Sequence, residues 1–283
     1  MGEKAMINKN GIITSRQNPS VKRVCSLSEK KRRDEYGLFR LDGVKLFREA
    51  LDCGLEIESV YIRESSADSL CQRLSESFGG LSEDKIICVS DAVFDKLNEE
   101  KSPEGIITVA KHIDKFRKNI KIDNVNLPKQ DESVLLLESV RDPGNLGTVI
   151  RSAAALGIDR VVISSDCADI YNPKTIRAAM GGLFRLKIDS VEAERFCEYI
   201  SMLKASGRRV FAAALDECAA VLGELELGAG DCFVIGNEGH GLSERTVAAC
   251  DRSVIIPMTE GCESLNAASA AVILIWEMRR ARG

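Results

Sequence analysis

The residues that could do chemistry in this 283-residue chain fall in three stretches. The first is ESVRDPGNLGTVIRSAAALG (138–157), which holds Asn145 and Arg151. Pro143, Gly144 and Gly147 predict a tight turn with close backbone approach. A helix then runs to Gly157, with Val149, Ile150, Ala153 and Ala154 on an apolar stripe and Arg151 on the other face beside Thr148 and Ala155. An Arg one turn into a helix opposes the dipole. Its position makes sense if it points across the strand ends at an anion; the alternative is an ordinary strand–turn–helix joint. The second stretch is FVIGNEGHGL (233–242), where Gly236, Gly239 and Gly241 surround Asn237 and Glu238. Three glycines in six residues suit a loop that offers backbone groups to a flat ligand. The spacing is not the G-x-G-x-x-G of a dinucleotide site. The alternative is a flexible turn with a solvated His240. The third is IIPMTEGCESLNAASAAVILIWEMRR (255–280). Ser264 is expected to cap its helix, with Asn266 in the first turn. The free N–H groups there suit an anion or carboxylate.

The elements around these stretches follow from apolar patterning. From residue 133, short apolar strands (SVLLLESV, DRVVIS, RRVFAAAL, DCFVIG, RSVIIPM) alternate with helices. That predicts an α/β domain with a mostly parallel sheet covered on both faces. All three stretches then lie at carboxyl ends of strands, where such sheets bind ligands. Strands SVYIR, KIICVS and GIITVAK, mixed with helices, predict a smaller N-terminal α/β domain. The polar run 112–133 marks the boundary: domains are expected over 1–112 and 133–283, with 113–132 as linker. The last helix carries apolar residues all round, including Leu265, Ile273 and Trp276. It belongs in the core or in a subunit interface, with the core the simpler reading.

The net charge of −4 argues at first against a polyanionic partner, but residues 1–50 carry twelve Lys and Arg against six acids. Such a basic segment fits phosphate contact, or simply a solvated helix face. In NPKTIRAAMGGLFRL (172–186), Lys174, Arg177 and Arg185 admit the same two readings. The ten cysteines form no C-x-x-C pair and read as small core residues of a protein in a reducing cytoplasm. Two histidines make a zinc site improbable, and no metal is expected. No apolar run approaches the ~18–20 residues of a membrane span, and the N-terminus has no secretory pattern.

The motifs Asn145-x-Gly147-x-x-x-Arg151, Gly236-Asn237-Glu238-Gly239-x-Gly241 and Ile256-Pro257-Met258…Ser264-Leu265-Asn266, in this order, resemble the SpoU (TrmH) family of RNA 2′-O-methyltransferases in the SPOUT superfamily. The resemblance is strong over 133–283. Residues 10–110, through ITSRQNPSVKRVCSL and RDEYGLFRLDGVKLFREAL, look like the family's RNA-binding module. It implies a C-terminal trefoil knot, a homodimer, and S-adenosylmethionine held by Gly236, Asn237, Gly239, Gly241, Ile256, Pro257, Met258 and Leu265. It implies Arg151 as the catalytic residue, supported by Asn145, Glu238, Ser264 and Asn266. The implied substrate is structured RNA, ribosomal rather than transfer RNA, and not DNA.

A guanidinium with a pKa above ~12 is a reluctant base. Arg151 is therefore expected to clamp phosphate and ribose oxygens, shedding a proton in the transition state at most. Glu238 would hold Arg151 or Asn145. The competing expectations are methylation of a base nitrogen by the same fold, and a non-catalytic RNA-binding or ribosome-assembly factor.

Overall fold

The computed structural model describes residues 11–118, 120, 122, 127–216, 218–259 and 264–283. The chain forms two compact units: Met1–Ile113 with Tyr171–Phe184, and Asp114–Ile170 with Arg185–Gly283.

In the first unit the order is α1 (Pro19–Ser26), α2 (Lys30–Tyr36), β1 (Leu38–Asp42), α3 (Val44–Asp52), β2 (Ile57–Arg63), α4 (Ala67–Gly79), β3 (Ile86–Val89), α5 (Asp91–Leu97) and β4 (Ile106–Lys111). The strands pair in the order β1-β4-β2-β3, with only the β2–β3 pairing parallel among the described residues. α1 starts where Asn18 accepts a hydrogen bond from Ser20 N and proline fills the first turn. Its Val21 and Val24 join Tyr61, Val93, Phe94 and Leu97 in a core cluster. The returning segment Tyr171–Phe184 is part of this unit. Tyr171 stacks on His112 at 4.2 Å and lies 4.7 Å from Phe39. Arg177 sits 3.7 Å from nearly buried Asp42, so it is ion-paired within the fold rather than a free solvent-facing cation.

The second unit contains β5 (Phe116–Arg117), β6 (Val134–Leu137), α6 (Pro143–Ala155), β7 (Arg160–Ser164), β8 (Lys187–Val191), α8 (Phe196–Ala205), β9 (Val210–Ala213), β10 (Ala220–Val221), β11 (Cys232–Ile235), α9 (Glu244–Ala249), β12 (Arg252–Ile255) and α10 (Ala267–Arg280); α7 (Pro173–Ala179) lies in the segment given to the first unit. The strand order is β10-β12-β9-β11-β6-β7-β8-β5, and every pairing among the described residues is parallel. Leu136, Val162, Val210 and Val234 pack with Tyr199, Ile200 and Leu203 of α8 on one face. By strand alternation Leu135, Leu137, Val161 and Phe233 point to the other face, and α10 packs on α6 and β11.

The β5 edge is fastened by charge. Asp189, fully buried, accepts hydrogen bonds from Arg117 (2.5 and 2.6 Å) and Arg160 (2.5 Å). Glu132 pairs with Arg160 at 3.0 Å and Lys187 at 2.5 Å. Burial disfavours the ionised Glu132, but these two cations outweigh it and hold the carboxyl at about 2.

Two sequence expectations change here. The 143–147 stretch is not a loop: Pro143 opens α6, and the Asp142 side chain caps it by accepting from Asn145 N at 2.9 Å. Asp-Pro is an N-cap and first-turn signature, and it overrides the glycines that suggested a turn. Likewise Ser264 does not cap α10. Asn266 does, its Oδ1 accepting from Ala268 N (2.9 Å) and Ser269 N (3.3 Å).

Candidate active site

The carboxyl ends of β6, β11 and β12 carry the residues singled out above. After β11, the loop closes on itself through reciprocal 2.9 Å hydrogen bonds between Asn237 and Gly241 backbones. Asn237 Oδ1 accepts from Gly239 N (2.9 Å) and His240 N (3.2 Å), while its Nδ2 donates to Ser139 O (2.8 Å). Gly236 is buried, and a Cβ there would lie 2.3 Å from Gly241 C and 2.4 Å from Leu242 N. Only glycine lets the chain pass that close. Gly241 adopts φ +68°, the left-handed region.

This clamp aims Glu238 at the start of α6. Its carboxylate accepts from Arg141 N (3.2 Å), Asp142 N (3.1 Å) and Asn145 Nδ2 (3.1 Å). Burial works against ionisation of Glu238, yet these donors, Asn145 foremost, hold its carboxyl below the ordinary range. Asn145 Oδ1 in turn accepts from Asn266 Nδ2 at 3.2 Å. One hydrogen-bonded chain therefore runs Glu238–Asn145–Asn266 and ends in the cap of α10. It ties together three stretches, the first and last of which are 121 residues apart in sequence.

Arg151 lies elsewhere on α6. It is exposed, and among the described residues no hydrogen bond or ion pair engages its guanidinium. Glu238 thus holds Asn145 and not Arg151. Because α6 begins at Pro143, Arg151 is its ninth residue and sits toward the C-terminal end, so the expected conflict with the dipole is absent. Among the described residues Arg151 is an unpaired cation on a solvent-facing surface. Ser264 is exposed and among the described residues forms no hydrogen bond to the chain of amides. Leu265 is 40% exposed, Pro257 exposed, and Ile256 and Met258 half-buried. β9 lies between β11 and β12 in the sheet, so Gly236 and Ile256 flank its end. A tight glycine bend and partly exposed aliphatic side chains suit a flat aromatic ligand held through backbone groups.

The sequence reading missed the polar cluster directly after β6. Glu138 accepts from Ser243 N (2.9 Å), Ser243 Oγ (2.8 Å) and Thr246 Oγ1 (2.6 Å), pinning the start of α9. Ser139 adopts φ +53°, a strained value for a non-glycine residue. It donates to Asp166 Oδ2 at 2.5 Å and, through its N–H, to Ser164 Oγ at 2.8 Å. Their one sequence signal is the abrupt change from apolar to polar at the strand end. Among the described residues no cluster of His, Cys, Asp or Glu could hold a metal. Cys262 lies outside them; Cys88, Cys167, Cys232 and Cys250 are buried, while Cys218 is exposed.

The glycine clamp and the amide relay meet at the carboxyl edge of a parallel sheet, the arrangement of an enzyme that binds a nucleotide-like cofactor there. The chain belongs to the SpoU rRNA methylase family, whose model matches residues 132–276. Residues 18–108 match the MRM3-like substrate binding domain. The chain is 30% identical to the 23S rRNA (guanosine(2553)-2′-O)-methyltransferase RlmP of Bacillus subtilis, over 94% of this chain and 98% of that protein. It is 26% identical to the 23S rRNA (uridine(2479)-2′-O)-methyltransferase of Streptomyces viridochromogenes, over 95% and 92%. Among solved structures, an RNA 2′-O ribose methyltransferase superposes with a TM-score of 0.78 at 28% identity, covering 95% of this chain and 98% of that one. The AdoMet-bound rRNA methyltransferase from Sinorhizobium meliloti gives 0.77 at 28%, covering 95% and 97%.

Proposed function

We propose that this protein methylates the ribose 2′-oxygen of a nucleotide in ribosomal RNA, using S-adenosylmethionine. The observation that carries this reading is the Glu238–Asn145–Asn266 relay at the strand ends, with Arg151 exposed further along the same helix α6. The cofactor, an RNA substrate and the transferase activity also follow from membership of the family. The cofactor supplies an electrophilic methyl group. The chain must bring a ribose hydroxyl into line and manage its proton.

Arg151 is assigned to clamp phosphate and ribose oxygens and to stabilise charge developing on the 2′-oxygen. Alignment of this kind contributes more than general-base help, which is about 10²–10⁴-fold. Asn145 and Asn266 fix the nucleotide side of the site, and Glu238 fixes Asn145. Ser264 is assigned to the same nucleotide. Gly236, Asn237, Gly239, Gly241, Ile256, Pro257, Met258 and Leu265 would hold the cofactor. The N-terminal domain, residues 1–112, is assigned to grip the RNA, in line with the substrate-binding match over 18–108. Ile273 and Trp276 on α10 are 36% and 51% exposed, beside exposed Leu265. Such an apolar face supports a homodimer over the all-core reading of this helix. The cysteines among the described residues are all free, which suits a cytoplasmic enzyme.

The test is single-turnover methylation of ribosomal RNA with wild type and Arg151→Ala, with cofactor binding followed by calorimetry. The expected result is nearly complete loss of turnover with cofactor affinity retained. Equal loss of both refutes the role of Arg151. Alkaline cleavage of the product separates ribose from base methylation, since a 2′-O-methyl group blocks cleavage at that site.

A further inference from the structure

We infer that the cleft between the turn after β6 and the Glu238 loop, which shares Asn237 and Gly241 with the residues assigned to the cofactor, is a second nucleotide site that receives one RNA nucleotide through Arg141 and His240. This inference rests on the RNA-methyltransferase reading and deepens it. The cavity has a volume of about 380 Å³ and is lined by Glu138, Ser139, Arg141, Asn237, His240 and Ser243, with Gly241. That is the size class of a small-ligand site and accommodates one nucleotide.

Most of the polar wall is already committed. Glu138 accepts three hydrogen bonds from Ser243 and Thr246, two of them on Oε1, so one of its about four acceptor sites is left. Asn237 spends its amide on Ser139 O, Gly239 N and His240 N. The other side chains left to meet a ligand are the guanidinium of Arg141, the ring of His240 and the lone pairs of Ser139 Oγ. Arg141 is 69% exposed, and its contact with Asp166 is a loose 3.4 Å. Donors outnumber acceptors, so the occupant must offer acceptors: a phosphate, or the O6/N7 edge of a purine. His240, exposed at the wall, offers a ring on which a base can stack.

The backbone of Ser139 is built for this duty. Its φ of +53° is held by three hydrogen bonds, to Ser164, Asp166 and Asn237. Strain kept in place by that many partners is characteristic of ligand-binding turns. The position is also informative. Arg141 N and Asn145 Nδ2 both donate to Glu238, so one carboxylate fixes the backbone of the cavity's arginine and the amide relay. A nucleotide seated here would set the register of the RNA over Asn145, which makes the site a determinant of which nucleotide is methylated.

The experiment compares wild type, Arg141→Met and Arg141→Lys on ribosomal RNA, measuring KM for RNA, kcat, cofactor Kd and the salt dependence of RNA binding. Arg141→Met is expected to raise the RNA KM about tenfold while kcat and cofactor Kd stay within about twofold. A phosphate occupant lowers the salt slope by about one and is rescued by Lys. A purine edge leaves the slope unchanged and is not rescued, because Lys lacks the planar fork. An unchanged RNA KM for Arg141→Met overturns the site, as does a parallel loss of cofactor affinity. Wild type that transfers no methyl group to RNA overturns the underlying function instead.

Discussion

Replacing Asn145 by Asp tests whether the amide relay sets the geometry of the site. The variant keeps the size of the side chain and its acceptor for Asn266 Nδ2, but it removes the donor to Glu238 and places a second carboxylate about where the 3.1 Å hydrogen bond was. Two unit charges at ~4 Å repel by about 1 kcal/mol in water and about 4 kcal/mol at an effective dielectric near 20. The new carboxylate also sits in the first turn of α6, where the helix dipole returns about 0.3–1 kcal/mol. The net penalty is roughly 1–3 kcal/mol, or about 5- to 150-fold in kcat/KM. Its sign with pH follows from the charges. Glu238 in the wild type is held ionised, so wild-type geometry persists well below neutrality. In the variant each carboxylate raises the other's affinity for a proton, and one shared proton restores a bridge between them. Activity should therefore recover as pH falls toward 5. The assay is kcat/KM for methyl transfer from pH 5 to 8.5, beside Asn145→Ala, which should be impaired without acid recovery. Wild-type activity of Asn145→Asp at pH 8, or a pH profile identical in shape to that of Asn145→Ala, refutes the reasoning.

Gly236→Ala forces a Cβ to within 2.4 Å of backbone atoms of Gly241 and Leu242. It should cost about 1–3 kcal/mol of stability and weaken cofactor binding at least tenfold; an unchanged Tm and Kd would count against the role of this bend. Trp276→Arg places a charge on the exposed face of α10. Loss of a central Trp typically costs at least ~2 kcal/mol, so the dimer dissociation constant measured by sedimentation should rise about 30-fold or more. An identical sedimentation profile for the two proteins would show that the face is not the interface. Glu132 has its carboxyl lowered to about 2 in the fold, against 4.5 for the free group. The stability it contributes is complete above pH 4.5 and disappears as pH falls through about 2. Glu132→Gln should flatten acid unfolding in that window, and an unaltered acid transition would mean the ion pairs are energetically idle.

Much of the architecture is legible in the sequence because buried parallel strands read as apolar runs. Val134–Leu137, Arg160–Ser164 and Cys232–Ile235 are such runs, and their carboxyl ends point to the site. What escapes is decided by partners distant in sequence. Phe116–Arg117 becomes a strand because Asp189 and β8 accept it, which no local pattern signals. The start of α6 was hidden by Gly144 and Gly147, although Asp142 and Pro143 carried the helix signal. Asn266 rather than Ser264 caps α10, since the same amide must reach both Ala268 N and Asn145. Glu138 and Ser139 could not be weighed until Ser243 and Asp166 were known to face them. Arg151 shows the reverse case. Its motif was readable, but the observation that makes it interesting, a cation without a carboxylate, exists only in three dimensions.

The grouping of Tyr171–Phe184 with residues 1–113 bears on how the protein is made. On a ribosome, the first unit emerges lacking the aromatic side chain that stacks on His112 and reaches Phe39. That side chain follows only after residues 114–170 have been synthesised, seconds later at about 5–20 residues per second. The full set of contacts of the first unit is therefore available only once a piece encoded beyond the first stretch of the methyltransferase sheet has been made. A gene fragment ending at the apparent boundary would never supply it.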